Sequence, residues 1–336
     1  MSSWFSFCAG DTPKHGGDVG ISSYLQAREF LQGFDLYLLI VLVTLATVLA
    51  VLSVARSPHA GRVLIATVAS LLLGFAVLVW FHYQIYASVQ IISPSSGLPI
   101  GKLMAPLWIE SEKLYFWAIF LGLFTYFVYR RDENETFSCW LNVAFAGFVY
   151  LTMLTSNPFA DPLPGLHGEI INYQMAMNSG DFATQTRFFQ MFSGKVAYFY
   201  NSTYMWIHPP LLFISYAALI VSFLASVFML IKRGEAAFDS IAYRYARLGY
   251  LLLTFGMLVS YPWALKAWSN EPWWWSPKVN MSILMWILYT AYLHSRLHLQ
   301  RRGMWTTTAV LGILCFVALV LTYITTYLIP GVHSYG

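Results

Sequence analysis

Two histidines of this sequence stand at the ends of apolar segments, on either side of a tryptophan-rich loop. His208 precedes two prolines in IHPPLLF, and His333 follows a proline and a glycine in IPGVHSYG. Prolines suit the first turn of a helix and glycine its end, so both imidazoles are expected at the same membrane boundary. A lone boundary histidine is usually an interfacial polar anchor. Two neutral imidazoles beside an aromatic platform are the donor set for bis-histidine ligation of a haem iron.

The loop between these histidines, residues 268–280, reads WSNEPWWWSPKVN. Its prolines disfavour a continuous helix, so the three consecutive indoles are expected in a bent, rigid loop. One interpretation is an aromatic-belt anchor at the membrane surface, and the other is a platform for a flat apolar ligand such as a porphyrin. If the backbone is extended, Trp273 and Trp275 share the face that contacts the ligand, while Trp274 points toward lipid or toward a cap formed by the outer segment 159–203.

A third histidine, His294, is expected inside an apolar segment, about 20 Å from the outer surface at the helical rise per residue. An ionisable group at that depth is costly and therefore indicates a function. Two interpretations stay open, namely ligation of a second haem iron and a hydrogen bond to a neighbouring helix. His82 ends an apolar segment on the outer side, too far from His294 to share one iron with it.

The composition requires a membrane environment for the elements that position these residues. Of the 336 residues, 58% are apolar and 10% are charged, and the mean hydropathy is +0.59, far from the usual globular balance. Cys8, Cys139 and Cys315 form neither CxxC nor CxxCH, so no covalent haem of the chain's own and no redox dithiol are expected. The N-terminal MSSWFSFCAGDTPKHGG lacks the features of a cleaved signal peptide.

The sequence predicts an all-α polytopic membrane protein with about eight transmembrane helices. A span needs about 20 apolar residues, and the candidates are 34–55, 63–86, 114–130, 138–158, 204–231, 243–265, 281–299 and 306–329. More than half of the Lys and Arg residues fall in four short connections, at 56–62, 130–135, 232–247 and 296–303. By the positive-inside rule these connections are cytoplasmic, and both termini lie outside.

The predicted organisation is an outer N-terminal tail over 1–33 and a single transmembrane domain over 34–336. Three outer loops follow from the orientation, at 87–113, 159–203 and 266–280. The glycine-broken 159–203 segment is expected to form a small cap. Glu110 and Glu112 are expected to face water or that cap.

Several stretches resemble one family of membrane proteins. TSNPFADPLP, MWIHPPLLF and, more weakly, SPSSGLPIGKLMAPLW are similar to the system I haem lyase subunit, and LIPGVHSYG is similar to the system II protein. AW…WWWSPKVN followed by TAYLHSRL resembles the tryptophan-rich "WWD" loop and its trailing helix. Over about residues 95–336 the chain therefore resembles the haem-handling CcsA, CcmF and CcmC superfamily of cytochrome c biogenesis.

The resemblance implies a non-covalently bound haem b. It assigns His208 and His333 as the outer iron ligands and His294 as one intramembrane ligand, whose second ligand would come from a partner chain. The loop contacts would come from Trp268, Trp273, Trp274 and Trp275. Lys266 and Lys278 are expected either to pair with haem propionates or to reach lipid phosphate.

Two functions stay open, because Ser276 and Val279 stand where the family pattern has acidic residues. The first is a haem lyase or synthetase component that presents haem at the outer face to an apocytochrome CxxCH. The second is a haem-b or quinol-linked subunit of a membrane electron-transfer complex. The expected partners are apocytochrome c or a multihaem cytochrome, other assembly or redox subunits and the lipid bilayer, with no nucleic acid. The expected location is the cytoplasmic (inner) membrane of a bacterium or archaeon, with the active face periplasmic.

Overall fold

The computed structural model of the chain describes residues 21–131, 134–269, 272–298 and 303–329. His333 and the N-terminal Cys8 lie outside these ranges. The described residues form ten α-helices, which are α1 (Ser22–Val54), α2 (Ala60–Ser88), α3 (Glu112–Arg131), α4 (Glu135–Thr155), α5 (Pro164–Met177), α6 (Phe182–Lys195), α7 (Thr203–Ile231), α8 (Ala236–Ala267), α9 (Pro277–Arg296) and α10 (Trp305–Leu328).

The all-α polytopic architecture is confirmed, since each of the eight predicted segments falls on one of the long helices. Among the described residues, six helices are long and apolar enough to cross a membrane, namely α1, α2, α4, α7, α8 and α10. The other two long helices, α3 and α9, have 20 residues each, and α3 carries charged residues at both ends. Eight spans and their orientation stay predictions. The helix α1 begins at Ser22, so residues 22–33 of the predicted tail are helical.

The long helices pack as two groups that α3 joins. In the first group α1 contacts α2 and α4, and α3 contacts α2 and α4; in the second, α7 contacts α8 and α10, and α9 contacts α8 and α10. The contact between α3 and α7, with a smaller one between α4 and α7, links the groups. A glycine lets α7 and α8 approach closely, because a Cβ on Gly256 would lie 2.8 Å from Leu212 Cδ2.

We call the membrane edge that carries the tryptophan loop the outer edge. A short antiparallel hairpin, β1 (Gln90–Ile92) with β2 (Pro99–Lys102), lies in the first outer loop. The segment 159–203 forms α5, α6 and a π-helical turn at Val196–Tyr200, consistent with the predicted cap. Glu110 faces this cap as expected, because its carboxylate accepts hydrogen bonds from the N–H groups of Gly165 and Leu166, at 2.9 and 2.8 Å.

The prediction that Glu112 faces water or the cap is wrong. Glu112 is the first residue of α3, and its side chain turns inward onto α2. Only 1% of the residue is exposed, and Oε1 lies 2.7 Å from His82 Nε2. A buried carboxyl requires such a partner, because its desolvation is otherwise too costly.

Candidate functional site

A cavity of about 400 Å³ lies at the outer edge, between α3, α7, α8, α9 and α10. Its volume is within the range of about 300–1,000 Å³ that small-molecule sites occupy. Most of the wall is apolar, and five indoles contribute to it, those of Trp108, Trp263, Trp268, Trp273 and Trp274. We call it the aromatic cavity. Such a wall suits a large, flat and apolar ligand.

His208 lines the aromatic cavity from α7. Its Nδ1 lies 2.9 Å from the carbonyl oxygen of Gly256 on α8. A carbonyl oxygen can only accept a hydrogen bond, so Nδ1 carries the proton and Nε2 of the neutral ring keeps its lone pair. The ring stacks on Trp263, with centroids 6.3 Å apart and planes at 28°. The hydrogen bond and the stacking hold this imidazole between α7 and α8 with Nε2 unprotonated.

The prolines that follow His208 lie inside α7 and not in its first turn, because the helix begins at Thr203. Proline has no N–H, so Pro209 leaves the carbonyl of Met205, four residues earlier, without its helical donor. The indole of Trp108 takes that place, with Nε1 2.6 Å from Met205 O. This hydrogen bond ties the first outer loop to the turn of α7 that carries His208.

The tryptophan loop is a turn of 3₁₀ helix over Trp273–Trp275, and the expectation of an extended backbone is wrong. The N–H of Trp275 bonds to the carbonyl of Pro272 at 3.0 Å, and that of Ser276 to the carbonyl of Trp273 at 3.1 Å. At three residues per turn, positions 273 and 275 point in different directions.

The three indoles consequently have different surroundings. Trp273 is 8% exposed and Trp274 is 50% exposed, and both line the cavity. Trp275 is 72% exposed and is not part of the lining. Trp273 also packs edge-on against Tyr261, with ring centroids 5.7 Å apart. The structure thus pairs Trp273 with Trp274, where the extended backbone had paired Trp273 with Trp275.

Only one of the two lysines predicted for the site lines the cavity. Lys278, in the first turn of α9, lines the aromatic cavity. Lys266 is outside the lining, and its Nζ lies 6.0 Å from the ring centroid of Tyr204. A further cation, Lys113 of α3, lines the cavity and was missed in the sequence analysis. Two cations at a mostly apolar cavity suit a ligand that carries carboxylates.

The structure does not bring His294 to this cavity. The residue lies in the last turn of α9, at the opposite end of the helix from the loop, and its side chain is exposed. Its Nδ1 lies 2.8 Å from the carbonyl oxygen of Thr290, so the hydrogen bond is within α9 and not to a neighbouring helix. His333 is not described, but Thr322 and Tyr323 of α10 line the cavity.

Two indoles of the wall were also missed in the sequence analysis. Trp263 is buried beneath the loop, where its Nε1 donates to the carbonyl of Tyr198 at 2.9 Å and its ring meets Trp268 with centroids 4.7 Å apart. Trp108 belongs to the APLW stretch that carried part of the family resemblance, and that resemblance was the only signal for it. Val279, at one of the positions without the acidic residue, also lines the cavity.

One protein-family model matches this chain. Residues 107–333 match the model of the family described as "Cytochrome C assembly protein", which is more than half of the chain. No solved structure matches.

Three curated relatives that match this chain have one name in common. "Cytochrome c biogenesis protein CcsA" of Prochlorococcus marinus (strain NATL1A) is 40% identical over 100 residues, which are 29% of this chain and 30% of the relative. The protein of the same name from Chlamydomonas reinhardtii is 33% identical over 149 residues, which are 40% of this chain and 41% of the relative. That of Synechococcus sp. (strain CC9902) is 29% identical over 174 residues, covering 40% and 56%. The matched part thus spans about a third to a half of the curated relatives' length.

Proposed function

Because this chain belongs to the cytochrome c assembly protein family, we propose that it is a haem lyase component that binds haem b in the aromatic cavity and presents it at the outer face. The observation that carries the proposal is the hydrogen bonding of His208 in the wall of the aromatic cavity. Its Nδ1–H donates to the carbonyl oxygen of Gly256, so Nε2 keeps the lone pair that an iron ion requires. The receiving partner would be an apocytochrome c with a CxxCH motif.

The residues of the cavity suit a porphyrin in three respects. The imidazole of His208 is a nitrogen donor of the kind that ligates haem iron. The indoles of Trp263, Trp273 and Trp274 supply apolar wall. The cations Lys113 and Lys278 are of the charge that propionates require.

Bound haem would supply the vinyl groups to which the thiols of CxxCH add. The chain's own part is then to bind, orient and keep the ligand from water. The Gly256 carbonyl holds the imidazole of His208 in one tautomer and orientation. Neither of the described cysteines, Cys139 and Cys315, lines the aromatic cavity, so no thiol of the described chain competes with the apocytochrome there.

We assign the second outer ligand to His333. The support is the course of α10, which lines the cavity with Thr322 and Tyr323 and ends at Leu328, close before His333 in sequence. The chain would lie in the inner membrane of a bacterium or archaeon with this cavity on the periplasmic side.

A second candidate is a haem-b or quinol-linked subunit of a membrane electron-transfer complex. Val279 favours it, because this apolar side chain lines the cavity at a position where the family pattern has an acidic residue. The two functions differ in the fate of the haem. A lyase component releases haem to an apocytochrome, whereas a redox subunit retains it.

Haem binding is tested by replacing His208 with glycine in the full chain. We expect the purified variant to lose the haem absorption spectrum of the wild type and to recover it when imidazole is added, because imidazole replaces the missing ligand. The matched control is His167→Gly, since His167 is also at the outer edge but bonds to Tyr24 at 2.9 Å, outside the cavity. An unchanged spectrum in the His208 variant would remove haem from this site.

The lyase function is tested separately. The chain and its natural partner subunits are expressed with an apocytochrome reporter that contains CxxCH, and covalent haem in the reporter is measured after denaturation. The lyase proposal expects attachment that is lost in His208→Gly and kept in His167→Gly. Stable haem in the membrane protein with no attachment to the reporter would favour the redox subunit.

A further inference from the structure

A second cavity, of about 290 Å³, lies at the inner edge, which is the edge of the helices opposite the outer edge. It is formed where α1 and α3 end and where α2 and α4 begin. Most residues of its lining have polar side chains, including Ser53, Ser57, Tyr129, Ser138 and Asn142, and two are charged, Arg56 and Glu135. We call it the inner cavity. It is remote from the tryptophan loop, and the aromatic cavity shares no lining residue with it.

Arg56 has a backbone conformation that normally favours glycine. Its φ is 51°, in the left-handed region, at the position after Ala55, the C-cap of α1. The turn is closed by hydrogen bonds from Arg56 N to Ser53 O at 3.0 Å and from Ser57 N to Leu52 O at 2.8 Å. Glycine is the residue that such a helix end usually takes. An arginine at this position is strained, and strained residues are concentrated where a side chain has a binding role.

The polar groups of the inner cavity are incompletely satisfied within the described chain. Arg56 and Glu135 both line the cavity and are exposed, and neither side chain forms an ion pair or hydrogen bond with a described residue. Asn142 is only 2% exposed, and its Nδ2 donates to Ser53 Oγ at 3.1 Å while its Oδ1 has no hydrogen-bond partner. Buried polar atoms normally find a partner, so the missing donor points to a ligand.

We propose that the inner cavity binds the headgroup of a zwitterionic phospholipid with a primary ammonium group, of the phosphoethanolamine type. The phosphate would bind the Arg56 guanidinium, and the ammonium would bind the Glu135 carboxylate. The ends of the membrane helices lie at the depth of lipid headgroups, so a headgroup can reach this cavity from the bilayer. Its two opposite charges match the two side chains.

The lining also selects among headgroups. A choline group is recognised by aromatic cages, and Tyr129 is the only aromatic residue of this lining. A headgroup with net negative charge would bring its charge beside Glu135, which is unfavourable. A primary ammonium can donate hydrogen bonds to the carboxylate and to the hydroxyl groups of the wall.

The test is native mass spectrometry of the full chain in detergent, with lipids that share the same acyl chains and differ only in their headgroup. We expect one phosphatidylethanolamine to be retained, and phosphatidylcholine or phosphatidylglycerol to be retained about tenfold less, as expected for loss of one charge-assisted hydrogen bond. Free phosphoethanolamine is added as a competitor in a separate series. Displacement by it would show that the headgroup suffices without acyl chains. Equal retention of the three lipids would overturn the proposal.

Variants provide a second measurement. Arg56→Gly removes the guanidinium and introduces the residue that φ 51° favours, so the fold should be kept or stabilised while lipid retention falls about tenfold. Glu135→Gln should lower the preference for phosphatidylethanolamine over phosphatidylglycerol. The control is Arg62→Gln, because Arg62 is close to Arg56 in sequence, in the first turn of α2, but outside the lining. Undiminished retention in a folded Arg56→Gly variant would exclude Arg56 as the phosphate ligand.

Discussion

His82 and Glu112 form a buried pair that connects α2 to the start of α3. The distance from His82 Nε2 to Glu112 Oε1 is 2.7 Å, and His82 Nδ1 lies 2.9 Å from the carbonyl oxygen of Ala105. Since that carbonyl can only accept, Nδ1 carries a proton, and one further proton is shared between Nε2 and the carboxyl group. The imidazole therefore holds both ends of the segment 105–112, which carries Trp108 in the wall of the aromatic cavity.

We predict that this pair is a main support of the outer edge. The side chains are 6% and 2% exposed, and removing one of them leaves the facing atom of the other, His82 Nε2 or Glu112 Oε1, buried without its partner. His82→Ala and Glu112→Ala should each lower the free energy of unfolding by about 3–5 kcal/mol. The double variant should lose less than the sum of the two. Denaturant unfolding in detergent measures all three.

Glu29→Ala is the control for this prediction, because Glu29 is exposed on α1. It should change the stability by less than about 0.5 kcal/mol. Additive losses in the double variant would mean that His82 and Glu112 do not stabilise each other.

The tryptophan loop gives a second prediction, which follows from its 3₁₀ turn. Trp273→Ala and Trp274→Ala should each weaken haem retention by about 1–3 kcal/mol, by analogy with aromatic stacking on nucleobases. Trp275→Ala should have little effect, because this indole is 72% exposed and outside the cavity lining. Haem retention is measured by transfer to an apoprotein acceptor. A larger loss at Trp275 than at Trp274 would support the extended backbone instead.

A third prediction concerns pH. The pKa of Glu110 is raised above its ordinary value of 4.5, because burial disfavours the charged carboxylate; the N–H groups of Gly165 and Leu166 oppose this shift in part. The folded chain therefore binds this proton more tightly than the unfolded chain. The resulting stabilisation is complete below pH 4.5 and is lost as pH rises through the folded-state pKa.

Glu110→Gln should remove this pH dependence. We expect the Tm of the wild type, compared with that of the variant, to decrease as the pH rises from about the ordinary pKa toward neutrality. Glu29→Gln, on an exposed position of α1, should leave the wild-type profile unchanged. A difference in Tm that stays constant across this pH range would show that Glu110 is not the titrating group.

The fourth prediction concerns His294, which stays a predicted ligand of an intramembrane haem. Its Nδ1 is bonded to Thr290 O at 2.8 Å and its side chain is exposed, so Nε2 is accessible to an iron shared with a partner chain. In the complex with partner subunits, His294→Gly should lower the haem content, and imidazole should restore it. His298→Gly, one turn further along the chain, should not. Equal haem content in both variants would leave the outer site as the single haem site.

The sequence by itself was sufficient for the membrane architecture. Water and lipid select side chains by polarity, so the apolar segments marked all eight long helices before any contact was known. His208 was also found in this way, because a histidine and two prolines at a segment boundary are local features. The prediction that the two prolines lie in the first turn of the helix was wrong. The helix α7 begins at Thr203, so the prolines lie about one turn further along it.

Only the tertiary structure decided which groups meet. His82 and Glu112 are in different helices, and no local sequence pattern predicts that their side chains form a hydrogen bond. Trp263 and Lys113 line the aromatic cavity because α3, α7 and α8 converge there. The directions in which the three indoles point are set by two backbone hydrogen bonds in the loop. These run from Trp275 to Pro272 and from Ser276 to Trp273, and they close a 3₁₀ turn. Apolar composition is a property of single residues, whereas a site is a property of packing between distant ones.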